Sequence, residues 1–184
     1  YTVTYTSEKG QDDKGKETGT NVSATNPKEK TGTDTEFNNF VVAPVNVEFD
    51  FTKKLSGRNL KANEFTFNLL NEAGTVVGTA KNDANGNIKF TGIKYKVSDL
   101  GTNSAGKRND SKTFNYTVEE VKGTDTTVTY DNMKVNVTVQ VIQPSVGDQL
   151  STVISYATVG GDAYGGDDRV FDNNVTPNFK PEKY

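Results

Sequence analysis

The sequence predicts an all-β fold, an antiparallel sandwich of immunoglobulin-like type, and three observations predict it. Apolar and polar residues alternate in run after run, the period of a strand with one face buried. Thr, Val, Asn, Gly, Tyr and Phe are plentiful, a mixture that favours strands and turns. Nowhere does an i, i+3, i+4, i+7 spacing persist, so no long amphipathic helix is expected. About seven to nine short strands with turn signals between them fit such a sandwich.

Residues 1–5 alternate like a strand, and residues 7–36 are too polar to bury much apolar surface, as in a solvated loop or arm. A shift of 134 positions lays Val3-Thr4 on Val137-Thr138 and Phe37-Asn38-Asn39 on Phe171-Asp172-Asn173. On that register, residues 1–44 read as the closing strands of a preceding similar repeat, or as an extended linker, with Pro44 at the boundary. Residues 45–176 then form the main domain, and 177–184 read as a linker to a following one.

Val45 to Leu55 opens the domain, with Val45, Val47, Phe49, Phe51 and Leu55 on one face. Glu64 to Leu69 alternates again, with Phe65, Phe67 and Leu69 inward. Asn71-Glu72-Ala73-Gly74 turns the chain into Thr75 to Gly78. Asn85-Gly86 is a hairpin signal, because both residues accept positive φ. Asp83, Asn85 and Asn87 share the odd-position spacing of a calcium loop. The glycine and the distant bidentate Glu of such a loop are missing, so no metal is expected there. Ile88 to Phe90 and Ile93 to Tyr95 are strand-like, and residues 97–109 read as a polar insertion that includes at most a helical turn. Phe114 to Val121, Val135 to Val141, Leu150 to Val159 and Arg169 to Val175 supply the remaining strands.

Composition excludes whole classes of chemistry. The 184 residues contain no Cys, His or Trp, which removes thiol nucleophiles, His-based triads, and zinc or haem ligation by those residues. A net charge of −3 with the signs interspersed gives no basic surface for nucleic acid. No stretch approaches the roughly 20 apolar residues that cross a bilayer, so no membrane insertion of this segment is expected.

Three polar residues break the inward pattern. Lys53 lies on the face of Phe49 and Phe51, Glu120 on that of Tyr116 and Val118, and Asn173 between Phe171 and Val175. A lysine near a strand end usually snorkels to water, where a facing Glu makes an ion pair worth about 0–1 kcal/mol. Alternatively the three share a dry site. There an ammonium and a carboxylate pass a proton between them, and the neutral amine is a nucleophile toward the Asn carboxamide. The acid would hydrogen-bond the carboxamide, polarise its carbonyl and move protons to departing ammonia. Phe49, Phe51, Tyr116 and Phe171 are the expected aromatic walls.

Several blocks point the same way. They are Lys53-Lys54-Leu55-Ser56-Gly57-Arg58-Asn59-Leu60, Asn63-Glu64-Phe65-Thr66-Phe67, Asn82-Asp83-Ala84-Asn85-Gly86, Tyr116-Thr117-Val118-Glu119-Glu120-Val121, Tyr130-Asp131 and Phe171-Asp172-Asn173. In this order, from about Val45 to Val175, they resemble the streptococcal pilin isopeptide-linkage domain, a repeat of Gram-positive pilins and wall-anchored adhesins. The resemblance implies a spontaneous Lys–Asn isopeptide bond between Lys53 and Asn173, assisted by Glu120 as the catalytic acid. Lys54, Glu119 and Asn174 fall one position off the motifs. The family commonly carries Tyr two residues after the Asn, where Val175 stands, which leaves Asn174 as the competing acceptor. By the same motif Asn39 would be the acceptor of the preceding repeat.

The expected role is a structural stalk or shaft repeat on a Gram-positive surface, in a pilus or anchored to the cell wall. No cofactor and no turnover enzyme are expected, only one autocatalytic event. Its partners would be neighbouring repeats or pilus subunits. The alternative is an adhesin module that binds a host protein or glycan through the 96–112 insertion or the 160–168 loop with Tyr164.

Overall fold

A computed structural model describes residues 41–161 and 166–176, together with the backbone of two short strands, β1 (Gly10–Gln11) and β2 (Glu17–Thr18), which pair antiparallel. The opening strand at 1–5, Asn39, Tyr164 and the 177–184 linker lie outside the described residues, as does most of 1–44.

Nine further strands follow: β3 (Val45–Ser56), β4 (Thr66–Asn71), β5 (Val76–Lys81), β6 (Asn87–Tyr95), β7 (Ser111–Glu120), β8 (Val128–Thr129), β9 (Lys134–Ile142), β10 (Ser151–Val159) and β11 (Val170–Val175). They form a five-stranded sheet in the order β10-β9-β7-β4-β5 and a four-stranded sheet in the order β6-β3-β11-β8. The all-β sandwich read from the alternation is the observed architecture. Period-2 patterning carries it: in β9, Val135, Val137, Val139 and Val141 are all fully buried, while Lys134, Asn136 and Gln140 face water. Each such valine contributes roughly 1.5–3 kcal/mol of burial. The two inner faces meet through rings, with Phe67 of β4 against Phe171 of β11 at 5.1 Å and Phe51 of β3 against Tyr156 of β10 at 5.9 Å.

One pairing departs from the antiparallel expectation. β3 and β11, the first and last strands of the sandwich, lie side by side and run parallel, with Lys53 opposite Phe171 and Leu55 opposite Asn173. Alternation within a strand reports which face is buried and is blind to the direction of the neighbour, so this pairing had no local signature. The strand β8 was also missed, because two residues are too few to show a period.

Two loops brace the end of β3 that carries Lys53. Gly86 accepts a hydrogen bond from the Lys53 backbone N–H at 2.6 Å, and its φ of 89° suits glycine. The calcium-like spacing has another use: the Asp83 carboxylate accepts from the Asn85 and Asn87 backbone N–H groups and from Asn87 Nδ2, closing the turn. Next to it the fully buried Asn82 takes the Phe65 N–H on Oδ1 at 2.8 Å and donates Nδ2 to the carbonyls of Lys61 and Asp83. That side chain sets where Phe65 enters the core. The 97–109 insertion is less polar than it reads. A single 3₁₀ turn, Val97–Leu100, pins it through the fully buried Leu100.

Replacing Asn82 by Ala strands the buried Phe65 N–H away from water. The expected cost is about 1–3 kcal/mol of unfolding free energy, from one orphaned buried group. Urea unfolding of Asn82→Ala against the parent, at matched m-value, measures it.

Candidate functional site

Lys53, Glu120 and Asn173 arrive from three strands, β3 and β11 in one sheet and β7 in the other. Alternation sends each inward, and the two-residue offset between Lys53 and Asn173 on adjacent parallel strands suits a long side chain reaching along the sheet. Lys53 Nζ donates to Glu120 Oε2 at 3.0 Å, and both side chains are 0% exposed. Asn173, 3% exposed, donates Nδ2 to Glu120 Oε1 at 2.8 Å. One carboxyl group thus bridges the amine and the amide nitrogen, one oxygen to each. Asn173 Oδ1 accepts the backbone N–H of Asp131 at 2.7 Å. A backbone nitrogen can only donate, so this contact fixes which end of the carboxamide is oxygen. The expectation that the acid polarises the carbonyl is therefore corrected: the acid holds the nitrogen end and the main chain holds the oxygen.

The neighbours one position away point elsewhere. Lys54 is exposed, and Glu119 pairs with Lys134 on the outer face at 2.7 Å. Asn174 is exposed and accepts from Ser56 Oγ at 2.9 Å.

The aromatic surround differs from the expected set. The rings next to the Lys53 amine are Phe65, 4.8 Å from its centroid to Nζ, and Phe67, at 6.0 Å. Phe171, opposite Lys53 in the β3–β11 ladder, packs against Phe67, and Phe51 packs on Phe171 at 6.1 Å. Phe49 and Tyr116 face each other at 5.9 Å, and the Tyr116 hydroxyl shares a hydrogen bond with Tyr95, so this pair forms a neighbouring part of the core. Phe65 and Phe67 were visible as inward residues. What was not visible is that β4 lies beside β7, Phe67 directly opposite Glu120. Asp131 was also missed as a site residue, because its contribution is a backbone group.

Residues 49–176 match the family described as FctA, Spy0128-like isopeptide containing domain. The chain belongs to this family. Similar solved structures include two major pilin proteins of Streptococcus pyogenes. The T-13 pilin is 14% identical with a TM-score of 0.39, covering 73% of this chain and 55% of its own. The T3.2 pilin is 16% identical with a TM-score of 0.39, covering 71% and 52%. The chain therefore spans about half the length of these pilins. No curated protein sequence matches it.

In this member of the Spy0128-like family, burial shifts both groups of the pair toward their uncharged forms. Burial pushes the Lys53 amine below the ordinary lysine range, against the opposing pull of Glu120. Burial likewise lifts the Glu120 carboxyl above the ordinary carboxylate range, against Lys53 and the Asn173 hydrogen bond. Contact geometry alone would read as an ion pair. However, desolvation is the largest influence on both partners, and it penalises the charged form of each. Moving the proton from nitrogen to oxygen would remove both charges, beside a carboxamide whose two ends are held. Among the described residues no cluster of His, Cys, Asp or Glu is placed to hold a metal ion.

A pH test isolates the buried amine. The Asn173→Ala variant keeps the Lys53–Glu120 pair, which holds one proton folded and one unfolded at mildly alkaline pH, so the pair adds no slope there. In Glu120→Gln/Asn173→Ala the lone amine has a depressed folded pKa, and the unfolded chain binds more protons up to the free-lysine value. Its stability should rise with pH relative to the single variant, by up to about 1.4 kcal/mol per unit between pH 8 and 10. Urea midpoints at the two pH values read the difference. Equal slopes would mean that the buried amine stays charged.

Proposed function

We propose that this chain is a structural repeat of a Gram-positive surface protein, a pilin shaft or adhesin stalk, and that one amide between Lys53 Nζ and Asn173 Cγ crosslinks it to itself. The observation that carries the reading is the single carboxyl group of Glu120, shared between the amine and the amide nitrogen in a site closed to water. Family membership supports it, as does the likeness to pilin repeats in the sequence blocks.

The reaction balances without a cofactor. The Lys53 ammonium gives one proton to Glu120, and the neutral amine attacks Asn173 Cγ. Carbonyl electrons move to Oδ1 and return as the Cγ–Nδ2 bond breaks. Glu120 passes a proton to Nδ2 and takes another from Nζ, so that ammonia leaves, an amide remains and the carboxyl ends protonated. Nothing turns over, because the nucleophile is consumed. Fixed partners supply the rate, since intramolecular reactions in good alignment reach effective molarities of roughly 10⁵–10⁸ M.

The bond would close a loop of about 120 residues and, by analogy with disulfides, stabilise the fold by about 4–5 kcal/mol through the unfolded chain. It needs no oxidising compartment, which suits a sequence without cysteine. Its placement suits load. Tension entering at the start of β3 and leaving at the end of β11 would pass through the crosslink, sparing the strands between. The partners on this reading are the repeats or subunits on either side, and the location is a pilus or the cell surface.

Intact mass tests the chemistry: the parent should weigh about 17 Da less than its sequence, the mass of one ammonia lost in forming the amide. Lys53→Ala and Asn173→Ala should match their sequences, and Glu120→Ala should leave both partners unjoined though adjacent. Single-molecule pulling tests the mechanics. The parent should show no release of the enclosed segment, whereas Lys53→Ala should extend by roughly 400 Å, from about 3.3–3.6 Å per freed residue. A parent of full sequence mass would overturn the proposal.

A further inference from the structure

A carbonyl under attack must park negative charge on its oxygen, and a buried site has no water to receive it. The only hydrogen bond given to Asn173 Oδ1 among the described residues is the Asp131 backbone N–H, at 2.7 Å. That distance is already in the range of donors that stabilise an oxyanion. The same residue spends its carboxylate on two more backbone groups: Oδ1 accepts from the Met133 N–H at 2.8 Å and Oδ2 from the Asp172 N–H at 2.9 Å. The second bond reaches into β11, one residue before the acceptor. Asp131 therefore grips the strand that carries Asn173 by its side chain while offering that residue its main-chain donor. The site around it is tight. Gly161, with φ of 59°, comes so close that a Cβ there would run into the Asp131 carboxylate and Met133.

We infer that the Asp131 backbone N–H is the oxyanion donor of the Lys53–Asn173 condensation, and that the Asp131 carboxylate is the positioning group that aims it. The inference rests on the crosslinking reading above. It assigns the two ends of the carboxamide to two different helpers. Glu120 serves the nitrogen that must leave as ammonia, and Asp131 N–H serves the oxygen that must carry charge. The division has a physical reason. The Glu120 carboxyl spends one oxygen on the amine and the other on the amide nitrogen, so it has no geometry left for the carbonyl. A backbone donor costs no reorganisation when charge develops, provided that its loop is held, and the two bonds to the Asp131 carboxylate hold it.

The test removes one hydrogen atom. Cell-free synthesis of the full chain with the α-hydroxy analogue of aspartate at position 131 turns the Tyr130–Asp131 amide into an ester, deleting the N–H and keeping the carboxylate. Loss of one oxyanion donor should slow closure about 10²–10³-fold. The ester chain should then be isolated at full mass, lose ammonia slowly on standing, and match Asn173→Ala in its circular dichroism spectrum. Asp131→Ala and Asp131→Asn, made conventionally, give the second measurement. Both should fold, with Ala closing slowest and Asn, which keeps one acceptor, recovering part of the rate. A folded ester chain isolated already closed would overturn the donor assignment. Asp131→Ala closing as completely as the parent on isolation would overturn the positioning role. A parent that never loses ammonia would instead bring down the crosslinking proposal, and this inference with it.

Discussion

Everything in this domain is arranged around an amine kept out of water. Transferring a lysine ammonium into a protein interior costs several kcal/mol even after relaxation, and a partner acid buried beside it carries its own penalty. The Lys53–Glu120 pair is wholly enclosed, with Phe65 and Phe67 against the amine. Burial shifts both groups toward their uncharged forms. A core that would ordinarily reject a lysine thereby shifts it toward its neutral form, and on the proposed reading the dryness that is a liability for stability would be the source of reactivity.

Such a site needs register more than it needs a pocket. Parallel pairing of β3 with β11 sets Lys53 and Asn173 two residues out of step on one face, and antiparallel pairing of β4 with β7 sets Phe67 opposite Glu120. A slip of one residue in either ladder would turn the affected side chains to the opposite face. The loops then refine the placement. Asn82 seats Phe65, Gly86 ties the backbone of Lys53, and Asp131 reaches the acceptor strand. On the proposed reading the site would act once and admit no substrate, so it can be closed on every side.

The same topology joins chemistry to mechanics. In a sandwich whose first and last strands are parallel neighbours, the chain enters one strand and leaves the other in the same direction. Hydrogen bonds between those strands share an axial load along their length but remain individually weak. The proposed covalent bond between them would change the order of failure, because seven of the nine strands of the sandwich lie inside the loop it would close.

The sequence by itself determined the class of fold and which faces are buried, because both follow from a period of two. Alternation through Val45–Leu55 and Phe114–Val121 already turned Lys53 and Glu120 inward, and their placement among aromatics was itself the anomaly that pointed to a reactive site. Tertiary structure decided what touches what. Only the packed sheets put Phe65 and Phe67, rather than Phe49 and Tyr116, against the amine, made β3 and β11 parallel, and brought a backbone N–H of Asp131 to the amide oxygen. Those facts depend on strand neighbours and on main-chain groups that every residue but proline possesses, so no side-chain pattern along the chain encodes them locally.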